Sequence, residues 1–157
     1  MQIGTYLTKQ ISSNTYTFNS VGSKGVVELR IIISKDDQQE SIYYNLAFVV
    51  WNRILNDIDD TIELRNGDMD RILATVANTA MLFMKTHPQS LLYIQGSNSI
   101  RTRKYQMGIS KYANSIPPNL GILGLLDENL LNGSAPAWKW EHFKTGTNYH
   151  AFLLYTK

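Results

Sequence analysis

Cysteine is absent from this chain of 157 residues. Its absence excludes disulfide bonds, thiolate nucleophiles and metal sites with cysteine ligands. The three histidines, His87, His142 and His150, are scattered and show none of the paired spacings typical of zinc sites or catalytic triads. We therefore predict no metal and no cofactor, and a nucleophilic enzyme is disfavoured.

Long apolar runs are also missing. No stretch approaches the roughly 20 residues that span a bilayer, and Met1–Thr5 lacks the basic and apolar regions of a secretory signal. We expect a cytoplasmic protein without a membrane partner. No internal repeat, low-complexity tract or flexible linker divides the chain, and its length suits one hydrophobic core. The sequence predicts a single domain over residues 1–157.

Acidic residues are missing from residues 71–126, which contain six basic residues. By contrast, residues 36–70 contain nine acids against two arginines, a net charge of −7. Such asymmetry marks a binding surface, or two segments that neutralise each other within one fold. The sequence leaves both interpretations open.

Hydrophobic periodicity predicts the elements. Strands are expected within residues 16–18, 26–33, 42–51, 91–95, 121–126 and 149–155, and helices over 69–85 and 98–115. The first helix has an apolar stripe of Ile72, Val76, Ala80 and Phe83 and should end before Pro88, and the second has a stripe of Tyr105, Ile109, Tyr112 and Ile116. Gly22–Gly25 is predicted to form a hairpin loop, and Asp68 to cap the first helix by accepting from backbone N–H groups. Residues 52–63 fit either a helix or a loop that leads into a short strand at 61–64, and residues 138–143 fit either a helical turn or an extended segment. The order predicts an α+β fold, a mostly antiparallel sheet with both helices packed on one face.

The most informative segment is a predicted strand, the turn Gly96-Ser97 and a helix whose first turns are basic. Cations at a helix N-terminus cost roughly 0.3–1 kcal/mol each, so a negative group is expected nearby. It is either a bound anion or the chain's own carboxylates, for which Asp59, Asp60, Asp68 and Asp70 are candidates. Our candidate ligand-binding residues are Gly96, Ser97, Arg101, Arg103, Lys104 and Tyr105, with Lys24 as a further contributor.

The simpler interpretation of this turn is an ordinary helix cap by Ser97 or Ser99. The single glycine excludes a dinucleotide fingerprint, and no Gly-Lys-Ser/Thr follows to make a Walker motif. The clustered aspartates could bind Mg²⁺ or Ca²⁺ through oxygen, but they lack EF-hand spacing. We therefore favour an acidic loop without metal.

Three functions follow as hypotheses. The first is binding of a phosphate-bearing ligand or nucleic acid at the Gly96-Ser97 turn and basic helix. The second is a protein interaction module, a homodimer or one partner of a toxin–antitoxin-like pair, with Trp138-Lys139-Trp140 as anchors. The third is a transferase or nuclease on a phosphate-containing substrate, with Asp59, Asp60 or Asp68 as base beside Arg101. The sequence does not decide whether the protein is an enzyme.

A series of motifs along the chain adds a family resemblance. They are Ser23-Lys24-Gly25, Tyr44–Phe48, Asn66-Gly67-Asp68, Arg71–Val76, Ile94–Ser97, Arg101–Tyr105, Trp140-Glu141-x-Phe143 and Asn148–Leu153. In this order they resemble a family of bacterial domains of unknown function and similar length, found chiefly in Bacteroidota. The resemblance implies membership and no particular activity. The chain departs from the family where Val49-Val50 replaces a usual Gly-Asp, so a site that used that acid would lack it here.

Overall fold

The computed structural model describes residues 4–35, 42–59 and 66–157. Within them the chain forms nine strands and two α-helices. The elements are β1 (Lys9–Ser12), β2 (Thr15–Gly22), β3 (Gly25–Lys35), β4 (Tyr43–Asn52), β5 (Asp57–Ile58), α1 (Met69–Thr86), β6 (Leu91–Ile94), α2 (Ser99–Tyr112), β7 (Leu120–Asp127), β8 (Trp138–His142) and β9 (Ala151–Thr156). A short 3-10 turn over Ala113–Ser115 extends α2. No helix among the described residues is long and apolar enough to cross a membrane.

The strands form one sheet in the order β1-β2-β3-β4-β6-β9-β7-β8, with β5 paired to the end of β4. Neighbouring strands are antiparallel except for β4 and β6. The connection between these two parallel strands includes α1, which provides the crossover that a parallel pair requires. The predicted mostly antiparallel sheet is confirmed.

The core lies between the sheet and the two helices. Alternate residues of β3, Leu29, Ile31 and Ile33, are at most 2% exposed and face the same side. On β9, Leu154 packs in the same cluster as the α1 stripe, and Phe152, two residues away, packs with Tyr105 of α2. Both helices therefore cover one face of the sheet, and the predicted α+β architecture is confirmed.

The predicted hairpin loop over Gly22–Gly25 is confirmed. Gly22 pairs with Gly25 across a two-residue turn, and Gly25 has a φ of +86° that favours glycine. Residues 138–142 are extended. Residues 53–56 form a turn before β5, whereas the short strand considered at 61–64 lies outside the described residues. Both β1 and β5 were missed, because they are short and exposed and carry no apolar alternation.

The predicted capping bond of Asp68 is wrong. Asp68 occupies the N-cap position of α1, but its side chain makes no capping hydrogen bond. Its Oδ2 atom instead accepts from the hydroxyls of Tyr6 and Ser20, each at 2.5 Å. These tertiary partners hold the carboxylate away from the backbone N–H groups that it would otherwise cap.

Candidate functional site

Gly96 allows the turn after β6 to close onto the first turn of α2. A Cβ atom there would lie 2.4 Å from the backbone nitrogen of Thr102. The N–H of Gly96 donates to Thr102 Oγ1 at 3.0 Å. This amide is therefore used within the protein, and close packing is sufficient reason for the glycine.

The start of α2 is capped by Asn98, whereas the sequence suggested Ser97 or Ser99. Asn98 Oδ1 accepts from the backbone N–H of Arg101 at 2.9 Å. Ser97 contributes differently, since its Oγ accepts from the Arg101 guanidinium at 3.1 Å. The Gly96-Ser97 turn and Arg101 are thus joined by hydrogen bonds within the protein.

The other predicted site residues lie on different sides of α2. Arg103 is exposed and Lys104 half-buried, and within the described ranges neither forms an ion pair. Tyr105 is 7% exposed, and its ring meets Phe48 edge-on with centroids 5.9 Å apart. Burial is the main cause that raises the pKa of Tyr105, and a hydrogen bond with the Phe48 backbone opposes it. Tyr105 therefore belongs to the core side of the helix.

The candidate carboxylates have separate partners. Asp70 of α1 pairs with Lys111 of α2, with Nζ 2.6 Å from Oδ2. Asp59 accepts from the amide of Asn52 at 3.2 Å, and Asp60 lies outside the described residues. The described part of the chain contains no group of three histidine, aspartate or glutamate residues that could hold a metal ion. The ion pair of Lys111 with Asp70 joins the basic segment, residues 71–126, to the acidic segment, residues 36–70, so the two neutralise each other at this point of the fold.

A larger feature lies between the helices, where sequence analysis proposed no site. Residues of α1 and α2 line a cleft of about 730 Å³ over β6, β7 and β9, a volume within the usual range of small-molecule pockets. Its floor and walls are mainly apolar. The side chains of the floor are Ile94, Ile122, Phe152 and Leu154, and those of the helices include Leu73, Ala77, Met81, Tyr105, Ile109 and Tyr112.

Two sequence patterns produce this cleft. Small residues recur on the face of α1 that meets α2, at Ala74, Ala77 and Ala80, and Gly108 of α2 lies opposite Leu73. Small side chains leave space between neighbouring elements that larger side chains would fill. The stripe predicted on the second helix, Tyr105, Ile109, Tyr112 and Ile116, does face one way and lines the cleft.

Polar groups are few, and all but Tyr112 are exposed residues. They are Thr5, Asn78, Lys111, Tyr112 and Ser115. Among the described lining residues Lys111 alone is charged. The Tyr112 hydroxyl donates to the Asp70 carbonyl at 3.3 Å, so the Lys111–Asp70 pair and this bond connect the two helices at the same place.

A shallower recess lies on the outer side of α2. Its described lining is Arg103, Gln106, Met107, Ser110, Lys111 and Asn148, around about 480 Å³. α2 contains four cationic residues and no acid. This recess is therefore the part of the predicted basic surface that combines an exposed arginine with side-chain amides and a hydroxyl.

Two tryptophans lie on the sheet face opposite the helices. Trp138 and Trp140 are 54% and 38% exposed, alternate on β8 and point the same way. Trp140 meets Tyr93 edge-on at 6.1 Å between centroids, and Trp138 meets His150 at 4.8 Å. Their role as anchors for another protein stays a prediction.

Comparison with known families gives one assignment. The model of a family described as "Family of unknown function (DUF6934)" matches residues 4–157. No curated protein and no solved structure matches the chain.

Proposed function

We propose that this chain, which belongs to the family of unknown function DUF6934, is a binding protein that takes a small molecule with an apolar body into the cleft between α1 and α2. The observation that supports this function is the cleft itself, about 730 Å³ with a mainly apolar lining. Pockets of this size and polarity suit small organic ligands. Burial of apolar ligand surface stabilises a complex by roughly 25 cal/mol per Å² before the cost of immobilising the ligand.

The packing of the helices supports the same conclusion. Ala77 is half-buried and lines the cleft, and Ala74 and Ala80 lie one turn to either side. A larger apolar residue at such a position would ordinarily fill the space and stabilise the core. The alanines keep that space available to a ligand.

A neutral fluorescent probe tests this function. N-phenyl-1-naphthylamine brightens in apolar surroundings, and we expect it to bind with one saturable site per chain. Ala77→Phe places a ring in the cleft and should weaken binding by about tenfold or more, as lost burial of 1.4 kcal/mol would. Leu82→Phe is the matched control, because Leu82 is on the same helix, is 57% exposed and does not line the cleft. Equal binding by the two variants would contradict the proposal.

A second candidate function is anion binding at the outer recess of α2. Its support is the placement of Arg103 beside Ser110 and Asn148, on a helix that contains no acid. A guanidinium with neighbouring N–H and O–H donors suits a phosphate group. The ligand would be a phosphorylated small molecule or a nucleic-acid backbone. Gly96, Ser97 and Arg101 would support the recess indirectly, through the turn that begins α2.

Titration at low salt tests the second candidate. Inorganic phosphate and a short single-stranded DNA should each shift amide resonances of α2, and the DNA affinity should fall as salt rises, because each neutralised phosphate releases counterions. Arg103→Ala should weaken binding, whereas Lys9→Ala on distant β1 should not. Shifts that are the same in both variants would count against this site.

A further inference from the structure

We infer that the ligand of the cleft is an amphipathic acid, whose apolar tail occupies the cleft and whose anionic group meets Lys111. This inference rests on the proposed function and adds the chemical class of the ligand. Its basis is the position of one charge. Lys111 is the single charged side chain among the described residues that line the cleft, and it is a cation.

Lys111 lies both in the lining of the cleft and at the surface of the protein. The Lys111 side chain is 47% exposed, so its ammonium is in contact with water while its residue lines the apolar space. The neutral polar groups Asn78, Tyr112 and Ser115 line the same cleft. These groups can hydrogen-bond an anionic, a cationic or a neutral headgroup, so the preference for an anion depends on Lys111.

The ion pair with Asp70 does not prevent this role. Asp70 is 64% exposed at its side chain, and exposed pairs of this kind contribute little to stability. An ammonium has three donors, of which the 2.6 Å bond to Asp70 uses one. A carboxylate of a ligand can therefore bind Lys111 beside Asp70 or in its place. The Tyr112 hydroxyl also contacts Asp70, through a long hydrogen bond of 3.3 Å to its backbone carbonyl.

Competition between three ligands of equal tail length tests the inference. Dodecanoate, dodecan-1-ol and dodecylamine are each used below their micellar concentrations to displace N-phenyl-1-naphthylamine from the full chain. We expect dodecanoate to displace the probe at about tenfold lower concentration than the alcohol, as one charge-assisted hydrogen bond would give. Dodecylamine should be the weakest competitor, because like charges repel.

Substitutions at two lysines test whether Lys111 causes the preference for the acid. Lys111→Gln should bring dodecanoate and dodecan-1-ol to equal affinity, and Lys111→Arg should retain the preference for the acid. Lys104→Gln is the matched control, since Lys104 is on the same helix but outside the cleft lining. Circular dichroism of each variant confirms that it is folded.

The outcomes distinguish a failure of this inference from a failure of the proposed function on which it rests. Equal displacement by acid and alcohol in the native chain overturns the amphipathic acid and leaves the cleft as a site for apolar ligands. A preference for the acid that survives Lys111→Gln overturns the role of Lys111. Failure of the probe and of all three ligands to bind overturns the proposed function, and the inference with it.

Discussion

Asn66 shows how one buried polar side chain organises this fold. It is 2% exposed. Its amide donates to Ser20 Oγ at 2.9 Å, and its Oδ1 accepts from the backbone N–H of Lys24 at 2.6 Å. Its own carbonyl accepts from the N–H of Ser23 at 3.1 Å. Asn66 therefore attaches the turn between β2 and β3 to the residues that precede α1.

Asn66→Ala should lower the free energy of unfolding by about 2–3 kcal/mol, because it leaves buried donors and acceptors without partners. The measurement is urea unfolding followed by circular dichroism. Asn19→Ala is the control, since Asn19 is exposed on β2 and should change stability by no more than about 0.5 kcal/mol. Similar losses in both variants would show that the hydrogen bonds of Asn66 contribute nothing specific.

At the scale of elements, the contact between α1 and α2 decides the shape of the cleft. A Cβ added to Gly108 would lie 3.2 Å from Cδ1 of Leu73, so the helices approach as closely as a glycine allows. Lys111 and Tyr112 then connect the next turn of α2 to Asp70. A larger residue at position 108 would therefore alter both the packing of the two helices and the cleft beside them.

Gly108→Val should push the helices apart and destabilise the protein by about 1–3 kcal/mol, as overpacking does. Leu73→Ala alone leaves a cavity and should also destabilise. Combined, the two should cost less than the sum of the single changes, because the smaller residue makes room for valine. Urea unfolding of the four proteins of this double-mutant cycle measures the coupling. Strict additivity would mean that Gly108 and Leu73 do not limit the approach of the helices.

At the scale of the whole molecule, the described helices cover only one face of the sheet. Phe152 of β9 is fully buried on the helix side. Trp138 and Trp140 lie on the other face, where they pack over neighbouring side chains and remain substantially exposed. The two faces therefore contribute unequally to stability.

Phe152→Ala should cost about 3–5 kcal/mol, the usual loss for a buried aromatic residue. Trp138→Ser should cost well under half as much, because the side chain is already 54% exposed in the folded state. Chemical unfolding of both variants at one protein concentration tests the comparison. A cost for Trp138→Ser as large as that for Phe152→Ala would contradict a sheet whose core is on one side only.

The sequence by itself determined the elements with strong periodicity. The helix predicted over 69–85 is α1, because its apolar stripe, from Ile72 through Phe83, repeats with a helical period and Pro88 follows its end. The second helix and the Gly22–Gly25 turn also depend on local signals. Both β1 and β5 lack such signals and are held by pairing with their neighbours.

Only the tertiary structure decided which residues meet. Sequence placed Gly96, Arg101, Arg103 and Tyr105 in one candidate site by their nearness along the chain, but a helix turns about 100° per residue and directs the neighbours within it to different surroundings. Gly96 packs on Thr102, Tyr105 enters the core, and Arg103 reaches the outer recess. The cleft arises from α1, α2 and three strands that are distant in sequence. No local pattern could have placed Lys111 in its lining, because that position follows from how two separate helices pack on one sheet.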